Sequence, residues 1–426
     1  MLILLCFVVL LVLICINVPI AVALAVSAIV GLLATEGPSS LVTVALDMYD
    51  GSTKFSLIAI PMFVLAGALM NAGGVTDRLI NFVSALIGFV RGGLAMVNIG
   101  VSLFFAEISG SAVADVAALG SILIPQMKKR GYSAPFAAAV TSSSASLAII
   151  IPPSIPMILY ATSANTSVEQ LFVAGVVPGL LGAAGLMFVA YMFAVKYDLP
   201  VEEAFNTKRV WATFVDALPA FTLPVIILGG IFGGWVTATE AAGLAVIAAL
   251  VVGAWYGEFN FKHLRRAMLD GGMQTAVVML LVAASVLMGG FLTRAQVPQQ
   301  LAQSILDFTN NQYVILAILN VFFLIIGFFL HSAAAIILVI PIVIPLINAA
   351  GIDPVHFGLV VTLNLAIGQQ TPPVASVLIT ACAVARANIW EVSKVNIYFV
   401  AVLFVVLMLC TYVPAIPMFL VEYFYR

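Results

Sequence analysis

Side chains able to hold an ion gather at two places in this chain, and each gathering ends in a Pro-Pro pair. One is TSSSASLAIIIPP, where Ser142, Ser143, Ser144 and Ser146 precede Pro152 and Pro153. The other is NLAIGQQTPP, where Asn364, Gly368, Gln369, Gln370 and Thr371 precede Pro372 and Pro373. No other Pro-Pro pair occurs in the sequence. Proline lacks a backbone donor and clashes with the preceding turn, so each segment reads as a helix that unwinds near its pair. The freed carbonyls, with Ser, Thr, Asn and Gln oxygens, form a hard donor set suited to a monovalent cation such as Na⁺. Two further polar interruptions stand in apolar runs: ISGSAVAD, carrying Ser109-Gly110-Ser111, and FLHSAAA, carrying His331 and Ser332 with Gly327 one turn earlier. Glycine there permits close backbone approach. A helix beginning there also presents partial positive charge to a carboxylate.

Each of these residues has a plainer reading. Asp115, one turn past the first interruption, could be a helix-start charge contributing about 0.3–1 kcal/mol. An intramembrane carboxylate is nevertheless functional by default, and an ion-binding or site-organising role is the stronger reading. For Glu107, just before the interruption, structural pairing and function balance. His331 could relay protons, but a neutral, hydrogen-bonded histidine fits its apolar setting better. The SSSAS run could serve small-residue helix packing; beside a Pro-Pro break, function outweighs it. Gln369 and Gln370 are hardest to explain plainly, because amides in an apolar setting need partners.

The elements that must carry these residues are membrane helices. Of 426 residues 64% are apolar and 8% charged, and the mean hydropathy is +1.22; a soluble domain has roughly 45–50% apolar and about 25% charged residues. The net charge of −2 gives no reason to expect a nucleic-acid partner. Spanning candidates lie near 2–34, 53–73, 134–163, 168–194, 210–233, 237–256, 268–292, 355–383 and 395–421. Each supplies roughly the 20 apolar residues that cross the bilayer. The first lacks a basic flank or small-residue cleavage site, which predicts a retained helix rather than a signal peptide. Residues 75–91 and 297–310 are amphipathic and read as helices lying along the interface. Residues 93–127 and 312–348 are apolar but interrupted, and read as re-entrant hairpins whose tips are the polar interruptions. With the first hairpin opening on the cytoplasm, only Lys54, Arg294 and Arg426 of the 16 Lys and Arg lie outside. That asymmetry matches the positive-inside rule.

Shifting the sequence by 220 residues aligns IPQMKKRGYSAPFAAAVTSSSASLAIIIPP (124–153) with IPLINAAGIDPVHFGLVVTLNLAIGQQTPP (344–373) without a gap. The shared residues include Pro125/Pro345, Gly131/Gly351 and both prolines of each pair. The loop after the first hairpin is KKRG; its counterpart INAAGIDP has no basic residue. The halves are therefore expected to be inverted in the membrane. Inverted repeats with broken helices place a binding site between them near the midplane. An enzyme is disfavoured, since HExxH, GxSxG and paired intramembrane carboxylates are absent. A channel built from the same halves remains the rival class.

SGSAVADVAALGSILIPQMKKRGY, the IIPPS break and WVTATEAAG at 235–243 resemble the large membrane subunit of tripartite ATP-independent periplasmic (TRAP) transporters across essentially the whole chain. The sequence is also similar to that subunit of a sialic acid system. The resemblance implies an all-α polytopic membrane protein of the bacterial inner membrane, with two inverted repeats that each hold a re-entrant hairpin and a broken helix. It implies Na⁺-coupled uptake of an organic acid by an elevator movement of a transport domain (93–163 and 312–383) against a scaffold (1–92, 164–311 and 384–426). It implies two partners, a small four-helix membrane subunit and a periplasmic substrate-binding protein. A first Na⁺ site is then expected at Ser109, Gly110, Ser111, Asp115, Ser143, Ser144 and Pro152. A second is expected at Gly327, His331, Ser332, Gly368, Gln369, Gln370 and Thr371. The organic acid is expected near Ser142, Ser144, Ser146, Pro153, Asn364 and Gln369. Proton coupling through Asp115 and His331 is the nearer alternative within the carrier class.

Overall fold

The computed structural model describes residues 6, 8–10, 12, 13, 16, 18–202 and 204–425, and among them every regular element is helical. The side chains of Ile108 and Ser109 also lie outside the described residues. Helix α1 (Ile20–Glu36) starts immediately after Pro19, a residue tolerated at a helix start because its missing N–H has no partner there anyway. The expected single span over 2–34 is interrupted before Ile20: residues 6, 8–10, 12 and 13 are helical, residues 18 and 19 are not, and most of residues 1–17 are outside the described set. Helix α2 (Leu41–Ser52) was not anticipated, because Asp47 and Asp50 interrupt its apolar pattern. It is held through Asp47, which accepts from Arg294 at 2.6 Å.

Next come α3 (Ala59–Ala72) and the amphipathic α4 (Val75–Ile87), which buries Val75, Leu79, Phe82 and Val83 on one face. The first hairpin is α5 (Gly93–Ser109) and α6 (Ala112–Lys129), joined through Gly110 at φ +59°. The first broken helix is α7 (Ala134–Ala145), α8 (Leu147–Ile150) and α9 (Ile155–Ala164). Helices α10 (Val168–Lys196), α11 (Thr207–Phe232), α12 (Ala238–Trp255) and α13 (Phe261–Arg294) follow. The second half repeats the plan with α14 (Val297–Phe308), the hairpin α15 (Gln312–Phe329) and α16 (Ser332–Ala349), and the broken pair α17 (Pro354–Gly368) and α18 (Ser376–Ala385). The chain ends with α19 (Ile389–Tyr412) and α20 (Ala415–Tyr425). The expected span 395–421 is thus divided, at Pro414, which cannot continue a helix. Among the described residues, nine helices are long and apolar enough to cross a membrane.

The repeat is visible in the element boundaries. Helices α6 and α16 start 220 residues apart and end 220 residues apart. Helices α4 and α14 each follow a residue in the left-handed region, Gly74 at φ +71° and Gln296 at φ +55°. Helices α9 and α18 each end on another, Asn165 at φ +51° and Arg386 at φ +52°. The two broken helices lie antiparallel. At one end the Tyr160 hydroxyl of α9 donates to the Pro354 carbonyl that starts α17 (2.7 Å). At the other, Lys128 of α6 donates to the Ala385 carbonyl that ends α18 (3.0 Å). Packing is reciprocal: α6 of the first hairpin lies on α18, and α16 of the second lies on α9. Helices α10 and α19 pack against this core and each other, whereas α3 packs on α12 and α13, α1 on α13, and α4 on α11.

Candidate functional site

Each hairpin tip meets the break of its own half, backbone against backbone. Ile155, which resumes the first broken helix, donates its N–H to the Gly110 carbonyl at 3.4 Å. A Cβ on Gly110 would come within 2.9 Å of the Pro153 carbonyl oxygen, so only glycine fits this left-handed position without displacement. In the second half Val374 donates to the Phe328 carbonyl at 3.2 Å. Gly327 and Gly368 cross so closely that a Cβ on Gly368 would stand 2.5 Å from the Gly327 Cα. Both Pro-Pro pairs, Pro152-Pro153 and Pro372-Pro373, are joined by cis peptide bonds. At the first break the cost of unwinding is tolerated because Pro152 and Pro153 are enclosed by protein, whereas Pro373 and Val374 at the second break are exposed.

The two tips converge on one cavity of about 460 Å³. Gly110, Ser111, Ala112 and Val113 line it from the first tip, and His331, Ser332 and Ala333 from the second. The break contributes Ile149, Ile155 and Pro156, while Val64 of α3 and Met273, Gln274, Val277 and Val278 of α13 close the opposite wall. Helices α6 and α16 both begin at this cavity, and the first N–H groups of a helix have no intrahelical partner. Two helix starts therefore face one space, that of α6 with Asp115 in its first turn and that of α16 with no acidic residue there, so the α16 start is the better suited to an anion.

The hydroxyls and amides around the breaks form a second feature, a buried network joining the halves. Gln370 accepts from the Ser142 hydroxyl and donates to the Ser142 carbonyl (2.6 Å) and to Ser146 Oγ. Ser143 donates to Asn396 of α19 (2.6 Å), whose amide donates to the Gln370 carbonyl (3.1 Å). Ser144 donates to Asn98 of α5 (3.2 Å) and accepts from Ser102 (2.9 Å), and Asn98 donates to Thr141 (2.7 Å). In the second half Asn364 donates to Asn320 of α15 (2.7 Å), which donates to Thr411 (3.2 Å). The Asn364 carbonyl oxygen is buried and receives no hydrogen bond.

The predicted residues thus fall into two groups. Gly110, Ser111, His331 and Ser332 line the cavity, and Pro153 touches the first tip from behind. Ser142, Ser143, Ser144, Ser146, Asn364, Gln369 and Gln370 are buried away from the cavity lining. Gln369 donates to Leu365 O (3.3 Å) and accepts from Ser376 (3.2 Å), and Thr371 donates to Ile367 O (3.1 Å), so both stay within the second break. Asp115 is buried one turn along α6, off the cavity wall. The Ser109 side chain lies outside the described residues. Sequence reading missed Asn98, Asn320, Asn396 and Gln274. Asn98, Asn320 and Gln274 are lone amides in or at the start of apolar runs, and that isolation is the signal that marks such residues, whereas Asn396 stands two residues after Lys394 and carries no such mark.

Among the described residues, nine membrane-length helices, antiparallel halves and a cavity between two helix starts fit a membrane transport protein. The chain belongs to the family described as tripartite ATP-independent periplasmic transporter, DctM component, which it matches over residues 7–416. It is a multi-pass protein of the bacterial inner membrane. The isethionate TRAP transporter permease protein DctMQ of Oleidesulfovibrio alaskensis is 39% identical over 406 residues, which are 95% of this chain and 64% of that longer protein. The sialic acid TRAP transporter large permease protein SiaM of Vibrio cholerae is 36% identical over 381 residues, 89% of each chain. The solved YdaH transporter of Alcanivorax borkumensis has a TM-score of 0.65 at 16% identity over 89% of each chain, a likeness of fold alone.

Proposed function

We propose that the chain carries a small organic acid across the inner membrane, driven by Na⁺, with the acid seated between the two hairpin tips. The observation that carries this reading is the convergence of both tips on one cavity whose far wall belongs to α3 and α13. The acid group sits at the starts of α6 and α16, where N–H groups without an intrahelical partner supply the positive field that a lysine or arginine would otherwise provide. Na⁺ is held where each tip meets its break, by the carbonyl and hydroxyl oxygens of Ser109-Gly110-Ser111 with Ser142–Pro153, and of Ser332 with Gly368–Pro373. Among the described residues no group of three or more His, Cys, Asp or Glu could hold a metal ion, so the donors are the hard neutral oxygens that suit Na⁺.

Coupling follows from the shared groups. Filling an ion site draws a tip onto its break, and the same tip starts the helix that faces the acid. The moving body comprises the hairpins and broken helices together with α10 and α19, which the sequence assigns to the scaffold but which pack on them, and it slides along α3 and α13 as an elevator. A small four-helix membrane subunit steadies the remaining helices, and a periplasmic binding protein delivers the acid. Relatives named for isethionate and for sialic acid, a sulfonate and a carboxylate, have nearly equal identity to this chain. The substrate class is therefore organic acid, with sialic acid one member.

The test is uptake in liposomes holding the chain with both partner subunits, using isethionate, sialic acid and succinate. A Na⁺ gradient drives saturable uptake of at least one, and a proton ionophore with Na⁺ clamped leaves it intact. Uptake that follows the pH gradient instead transfers the coupling to protons through Asp115 and His331. Non-saturable flux makes the protein a channel.

A further inference from the structure

The cavity wall contributed by α3 and α13 is apolar except at one place. Val64, Met273, Val277 and Val278 offer only hydrocarbon and a thioether; Gln274 offers an amide. Residues 273, 274, 277 and 278 lie on one face of α13, as the helical repeat requires, and Gln274 stands in the run GGMQTAVVMLLVAAS. An amide in such a run costs free energy unless it is hydrated or bonded. The side chain is exposed into the cavity region rather than packed. Every other polar group on the lining belongs to a hairpin tip.

We infer that Gln274 is a specificity-determining residue: its amide bonds the polar groups of the acid on the side away from the helix starts. This rests on the proposed carrier site. The chemical division is plain. The helix starts bind the acid group that every substrate has, whereas an amide, both donor and acceptor, distinguishes hydroxyls, amides or a second acid group on the remainder. Its position adds a directional consequence. Helix α16 packs on α13 toward the Arg294 end, where Gly289 faces Pro341. Ser332, nine residues before Pro341, then lies about 13 Å further down, roughly level with residue 280. Gln274 is one to two turns beyond that level, toward the Phe261 end. With the basic loops in the cytoplasm, that end is cytoplasmic. A body sliding inward brings the acid onto Gln274, so the amide acts on the inward-facing, releasing state more than on the outward-facing one.

The experiment uses the complete three-component system and compares wild type with Gln274→Leu, Gln274→Asn and Gln274→Glu. Isethionate, sialic acid and succinate are each measured for uptake from the binding-protein side and for efflux from the opposite side. The expected result is a change of threefold or more in the relative rates of the acids with Gln274→Leu. The change is larger in efflux KM than in uptake KM, partly restored by Gln274→Asn, and without effect on half-saturating Na⁺. Gln274→Glu lowers transport of the most acidic member most. Ratios unchanged in all three variants while wild type transports would overturn the role of Gln274 and leave the carrier reading standing. Failure of wild type to transport any of the three acids would remove the carrier reading and this inference together.

Discussion

Replacing Gly110 by alanine tests whether the contact between the first tip and the first break is what an ion closes. Gly110 has φ +59°, a region that costs an L-residue about 1–2 kcal/mol. The new Cβ would also stand 2.9 Å from the Pro153 carbonyl oxygen and 3.3 Å from the Ile155 nitrogen, both backbone atoms that cannot swing aside. Gly131 supplies the control, because it too has positive φ, +88°, yet nothing lies within 4 Å of its Cβ position. In the ion-free protein the tip can withdraw and shed the contact, so the penalty falls on the closed, ion-bound form. A penalty of about 2 kcal/mol there weakens Na⁺ binding about thirtyfold. The assay needs no substrate: thermal unfolding of the purified chain in detergent, with Na⁺ exchanged for choline at constant ionic strength. At a Na⁺ concentration a hundred times the wild-type Kd, wild type gains about 2.7 kcal/mol from the ion and a thirtyfold weaker site gains about 0.9 kcal/mol. Gly131→Ala keeps the full gain despite its lower starting stability. Equal Na⁺ gains in the two variants would refute the reasoning, since the tip contact would then be irrelevant to the ion.

Gln370→Leu removes three side-chain bonds to Ser142 and Ser146 and leaves buried polar groups unpaired, which costs about 2–4 kcal/mol; the melting temperature of the purified protein falls by several degrees, and an unchanged value contradicts the network. Gly368→Ala puts a Cβ 2.5 Å from the Gly327 Cα, so the variant is recovered in poor yield and aggregates on size exclusion, whereas Gly243→Ala, whose Cβ meets nothing within 4 Å, behaves as wild type. The antiparallel halves are checked by impermeant maleimide: a cysteine at Lys129 is labelled only from the cytoplasm and one at Ala349 only from the periplasm, and labelling of both from the same side excludes inversion.

The sequence carried the fold wherever a backbone rule left a mark. Proline pairs located the breaks, the polar interruptions located the tips, and the 220-residue offset between Pro152-Pro153 and Pro372-Pro373 anticipated matching helix boundaries. Helix α2 escaped because Asp47 and Asp50 break its apolar pattern, and the partner of Asp47, Arg294 at 2.6 Å, is 247 residues away. The site was legible only in part, for the same physical reason. Residue type identifies an oxygen that can bind an ion, but whether that oxygen is available depends on its neighbours. Ser142 and Gln370 are 228 residues apart and bind each other, so in this conformation their side chains hold the broken helices together instead of lining the cavity. The residues left facing the cavity include Gln274, on a helix with no break and no motif. On the proposed elevator reading, the wall along which the acid-bearing body slides needs smooth apolar packing and one polar contact, and a single glutamine among valines and methionine is all that such a wall leaves in a sequence.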